Sequence, residues 1–115
     1  MNIYDLLETN NIAIVVQVDL KNKRFEILKK DIALESYDLF EQIILFNNVD
    51  NLVSSVKGQI LPRIWMQGNT KCTICQPKDE KIVALFYDNH MDAKENYFFA
   101  QQLDSVLKEI FLKRL

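Results

Sequence analysis

Two short runs along the chain are apolar on both parities. Residues 12–18 read Ile-Ala-Ile-Val-Val-Gln-Val, and residues 82–87 read Ile-Val-Ala-Leu-Phe-Tyr. A strand covered on one face alternates apolar with polar, whereas a strand covered on both reads as a continuous apolar run. Both runs therefore predict central strands. Two further segments alternate: Ile60, Ile64 and Met66 share one parity in residues 60–66, and Cys72 and Ile74 do so in residues 70–75. These predict strands leading toward a sheet edge, joined through Gln67-Gly68-Asn69 and followed, after a break at residues 76–79, by the second central strand. Residues 24–28 also alternate, Phe25 and Ile27 against Arg24 and Glu26, and predict a short outer strand. It follows the first central strand through a turn at residues 19–23, where Asn22 is the residue best suited to positive φ.

Between the two strand groups the period becomes helical. Residues 31–57 carry Leu39, Phe40, Ile43, Ile44 and Phe46 at helical spacing, and Leu45, Val49, Leu52, Val53 and Val56 continue on a rotated stripe. The rotation falls at Asn47-Asn48, two poor helix formers, which predicts a kink or split there. Gly58 is placed to end the helix as a C-terminal cap. The apolar surface wraps more than one face, so part of it needs a cover other than the sheet. A short N-terminal helix over residues 2–9 presents Ile3, Leu6 and Leu7 on one face. At the other end, Asp92 with Glu95 three residues on has capping-box spacing, and Phe99, Leu103, Val106, Leu107, Ile110 and Phe111 form the stripe of a closing helix.

The order is thus helix, two strands, long helix, three strands, helix. With the doubly apolar strands central, the expectation is an α+β fold: a five-stranded antiparallel sheet of order 2-1-5-4-3 with helices on both faces. Its 115 residues predict a single domain, residues 1–115, large enough for a real core. Fourteen Lys and Arg against 16 Asp and Glu, a net charge of -2, argue against a nucleic-acid partner, which needs a clustered basic face. The basic knots at Lys21–Arg24, Lys29-Lys30 and Lys113-Arg114 read as solvated turns or helix ends. Apolar stretches are strand-sized and no targeting segment is visible, so no membrane insertion and a cytoplasmic location are expected.

Candidate chemistry is sparse. Cys72-Thr73-Ile74-Cys75 has the CxxC spacing of redox and zinc sites, yet there is no second pair and His90 is the only histidine. On a strand, residues three apart point to opposite faces, so two reduced thiols are the expectation. His90 reads as an exposed loop residue, and Tyr97-Phe98-Phe99 as core packing, since Asp92, Glu95 and Asp104 give that helix the wrong sign for stacking on bases. No metal, cofactor or catalytic constellation is predicted, and the chain is not read as an enzyme.

The succession of elements resembles the roadblock/LC7 family of the profilin-like group. Residues 12–28 resemble the family's first hairpin, with Asn22 where the family usually has glycine, and residues 59–115 resemble its closing meander and helix. The resemblance implies a non-catalytic interaction module, homodimeric through the middle helix and third strand. Its joined sheet would be offered to a small GTPase or a larger scaffold. The residues support this independently: the strand through Pro62 and Met66 is predicted at an edge, and Arg63 and Trp65 are types that anchor interfaces. With Leu45, Val49 and Val53 of the middle helix, Arg63 and Trp65 form the candidate interface, Trp65 fitting a place in the core equally well. Two other readings stand beside it: an immunity protein that neutralises a bacterial toxin domain, and a PAS-like sensor with a ligand cavity between sheet and middle helix.

Overall fold

Residues 12–18 and 82–87 do lie side by side at the centre of the sheet. In the computed structural model, which describes residues 3–30 and 34–112, strand β1 (Ile14–Asp19) pairs antiparallel with β5 (Lys81–Asp88), Ile14 opposite Phe86 and Val18 opposite Ile82. The other strands are β2 (Arg24–Lys30), β3 (Arg63–Gln67) and β4 (Thr70–Lys78), in the order β2-β1-β5-β4-β3. Helix α1 (Ile3–Thr9) and the 20-residue α4 (Ala93–Leu112) cover one face. The middle segment covers the other: α2 (Asp38–Phe40), prolonged by a π-helical turn Glu41–Leu45, then α3 (Val49–Val56).

The parity of the central strands sorts the core into two layers. Ile14, Val16, Val18, Ile82, Ala84 and Phe86 face α2 and α3. Val15, Val83, Leu85 and Tyr87 face α1 and α4 with Leu103, Leu107, Ile110 and Phe111. Two bulges adjust the ladder. One lies between Val15 and Val16; the other follows Cys75, where Pro77 has no N–H to give.

Local chemistry sets the helix boundaries. Asp92 Oδ1 accepts from Glu95 N–H at 2.8 Å while Glu95 Oε1 accepts from Asp92 N–H at 3.2 Å, a complete capping box. The middle segment splits where the asparagines stand. Asn47 Nδ2 donates back to the Ile43 carbonyl at 3.0 Å, and Asn48, with φ −132°, accepts from Asn51 N–H at 2.8 Å as N-cap of α3. The helix ends one residue before the expected cap: Lys57 is already extended (ψ 129°), and Gly58 at φ +75° takes the second corner of a turn closed by Gln59 N–H on the Val56 carbonyl at 3.1 Å.

Four readings need correction. Lys23, not Asn22, takes positive φ (53°) in the first hairpin, because Asn22 is drawn with Lys21 onto the Asp19 carboxylate. The described helix begins at Asp38; Asp31, Lys113 and Arg114 lie outside the described residues. Strand β4 is buried on both faces from Thr70 to Cys75, since α4 lies over its polar parity. Tyr97 and Phe98 are exposed, and only Phe99 of that trio packs inward, edge-on to Tyr87 at 5.2 Å.

The polar residues that α4 covers are joined in a network. Thr73 donates to the Tyr87 hydroxyl at 2.6 Å, which donates to Asn96 Oδ1 at 3.2 Å. Asn89 Nδ2 reaches the same oxygen, and buried Lys71 donates to the Asn89 carbonyl at 2.6 Å. Burial pushes the Tyr87 phenol up to about 12 from 10.0, with the bonds to Thr73 and Asn96 opposing it. Burial also raises both thiols from 9.0, with the Asp104 carboxylate adding to the effect at Cys75. The folded state holds these protons more tightly than the unfolded chain. Their contribution is intact below about pH 9 and is lost as the pH climbs through the folded values. Urea midpoints are therefore expected to fall above about pH 9. Tyr87→Phe should flatten the limb between about pH 10 and 12 while costing about 1–3 kcal/mol at neutral pH for the partners left unpaired. An unchanged alkaline slope in that variant would contradict this assignment.

Candidate interaction surface

The π-helical turn determines which residues of the middle segment face outward. Phe46 N–H donates to the Glu41 carbonyl at 2.8 Å, an i to i+5 bond that widens the turn. Phe40 and Ile44 remain in the core, whereas Leu45 and Phe46 turn out, 52% and 78% exposed. The chain re-enters the core at Val49, Leu52 and Val56. Of the predicted helix positions, Leu45 is thus at the surface, Val49 is buried at 5% exposure, and Val53 packs partly buried against the same core.

Strand β3 is an edge strand paired only with β4. Its faces are opposite to those expected from the parity of Ile60, Ile64 and Met66. Trp65 stands across from Cys72 and Arg63 from Ile74, and cross-strand partners share a face, so Trp65 turns toward α2 and α3. It packs half-buried against that core, with the Arg63 guanidinium 4.7 Å from its ring centre. Ile64 and Met66 stand across from Thr73 and Lys71 on the α4 side, Met66 exposed.

The cause is the turn. Gln67 pairs directly with Thr70, leaving a two-residue loop in which Gly68 has φ +60° and Asn69 does not have positive φ, the pattern of a II′ hairpin. Side chains hold the start of α2 to this end of the sheet. Gln67 Nε2 donates to Asp38 Oδ2 at 3.0 Å, and Ser36 N–H donates to Thr70 Oγ1 at 3.2 Å. Leu45, Phe46, Ile60 and Met66, all exposed, therefore belong to the edge strand, its approach and the helical segment tied to it.

Elsewhere the candidate chemistry is separated. Cys72 and Cys75 are buried in opposite core layers, and His90 is exposed. Among the described residues no group of three or more His, Cys, Asp or Glu is placed to hold a metal ion. No described helix is long and apolar enough to cross a membrane. An open groove of about 500 Å³ runs between α1 and α4, lined by Leu6, Asn10, Phe98, Gln102, Leu103 and Val106.

The architecture superposes on that of Myxococcus xanthus MglB, a roadblock/LC7-family protein, with a TM-score of 0.53 over 95% of this chain and 90% of that one. The chain has a roadblock-like fold. Sequence identity to MglB is 13%, so the likeness is one of fold. No protein-family model matches the sequence, and no curated protein matches it. In this roadblock-like domain, Phe46, Ile60 and Met66 are each exposed although sequence reasoning assigned them to inward stripes. The i+5 turn and the two-residue hairpin loop account for Phe46 and Met66, and Ile60 lies before the start of β3.

Proposed function

We propose that this domain is a homodimeric adaptor of roadblock type. It joins two copies through β3 and the middle helical segment, and offers the combined surface to a small GTPase or a larger scaffold. The observation that carries this reading is the open β3 edge, tied to a helical segment bearing exposed Leu45 and Phe46. An unpaired edge strand invites a further strand, and apolar side chains left exposed on the strand and on the helical segment favour a protein partner. Arg63 and Trp65 stiffen the edge from its inner face, and Val53 packs α3 against the same core.

Size-exclusion chromatography with light scattering tests the first step, with a dimer expected at micromolar concentration. A clean monomer at high micromolar concentration would overturn it. Affinity capture from the native host, read by mass spectrometry, tests the second. A small GTPase or scaffold protein is expected, and recovery of a toxin domain alone would favour the inhibitor reading instead.

A further inference from the structure

The β3 edge carries enough detail to specify how two copies would meet. A two-residue hairpin loop closes on a hydrogen-bonded pair, here Gln67 with Thr70, and such pairs then alternate along the ladder. Arg63, Trp65 and Gln67 therefore spend their backbone groups on β4, while the N–H and C=O of Ile64 and Met66 point to the open edge. We infer that two copies pair β3 against β3 antiparallel in the register centred on Trp65, with Ile64 of each copy opposite Met66 of the other. This inference rests on the dimer proposed above.

Symmetric pairing of an antiparallel strand with itself leaves few choices. A register centred on Ile64 sets Met66 against Pro62, whose nitrogen has no hydrogen to donate, and Gln67 against Leu61, outside the strand. A register centred on Met66 sets Ile64 against Gly68, which holds φ +60° in the turn. Only centring on Trp65 pairs all of residues 63–67. It sets Ile64 against Met66 on the α4 side and Trp65 against its own copy on the other, with Arg63 against Gln67 at the ends. Apolar residues meet apolar ones and like charges stay apart, so the strand is complementary to itself. That self-match makes a second copy of this chain the occupant of the edge.

Cysteine pairing reads the register. Position 65 is unsuitable because it stands across from Cys72 within one chain. Ile64→Cys and Met66→Cys copies, distinguished by tags of different size, would be co-expressed and oxidised with oxidised glutathione. Directly opposed residues lie about 5.5 Å apart between Cα atoms, within disulfide range, whereas two copies of position 64 would be diagonal neighbours at about 7–8 Å. Native Cys72 and Cys75 are fully buried and do not compete. The mixed sample is expected to give covalent heterodimer as its main product, and either variant expressed alone only traces. A dimer by light scattering in which Ile64→Cys crosslinks to itself, or in which nothing crosslinks, overturns the register and leaves the dimer standing. A monomer by light scattering overturns both.

Discussion

Phe86→Ala is expected to destabilise the fold by about 3–5 kcal/mol, a large part of the roughly 5–15 kcal/mol that holds a domain of this size. Phe86 is fully buried, stands between Ile14 of β1 and Cys72 of β4, and tilts against the Phe40 ring at 5.4 Å. Its side chain therefore links the central strand pair to the helix that covers it. Close-packed neighbours on three elements cannot all move into the vacated space, so a cavity cost adds to the lost transfer energy. Phe46→Ala supplies the contrast. The same residue type at 78% exposure should change monomer stability by no more than about 0.5 kcal/mol. Urea unfolding at a fixed, low protein concentration measures both. A loss below about 1 kcal/mol for Phe86→Ala would mean that α2 does not depend on the sheet for its position.

Both runs at the centre of the sheet were legible because burial on two faces leaves no room for polar residues in a strand. Apart from Gln17, which is half-buried, residues 12–18 and 82–87 are buried throughout, and the strand order follows from making them neighbours. The split at Asn47-Asn48 was legible because those residues satisfy backbone groups locally, whereas Gly58 marked the turn that follows α3 and Lys57 is its C-cap. Lys71 and Thr73 show where alternation misleads. Polar residues on one parity of β4 read as solvent-facing, yet α4 covers them and the hydroxyl, amide and carbonyl groups of Thr73, Tyr87, Asn96 and Asn89 take up their bonds. A strand pattern records polarity, and tertiary contacts decide whether that polarity meets water.

At the candidate surface, a one-residue difference in a loop governed what could be read. Taking Gln67-Gly68-Asn69 as the loop gives β3 the wrong inner face, because a shift of one residue exchanges the two sides of a strand. Gly68 with an adjacent asparagine is also the composition of a two-residue turn, so the correct register was present in the sequence as turn chemistry. The π-helical turn left no comparable mark. Its effect was to turn Phe46 out of a stripe to which helical spacing had assigned it and to leave Val49, a candidate interface position, inside the core.

Met66→Pro should leave the domain folded and strongly weaken its self-association. The N–H of Met66 points away from β4, so a proline ring at this position removes no bond of the existing sheet, and edge strands are where proline is tolerated. In the proposed dimer the same N–H donates to the Ile64 carbonyl of the second copy, and symmetry repeats the loss. Each unpaired group at a closed interface costs about 1–3 kcal/mol, so the two losses together weaken association by at least about thirtyfold, before any clash of the ring with the incoming strand. Trp65→Pro should behave in the opposite way. Its N–H belongs to the ladder with Cys72, so proline there breaks the hairpin and removes the Trp65 side chain from the core. Circular dichroism and urea melts report the fold, and light scattering across a concentration series reports the dimer. If Met66→Pro stayed dimeric with unchanged affinity, the second copy would not be adding a strand at β3, and the exposed Leu45 and Phe46 would have to hold the two domains together without the sheet.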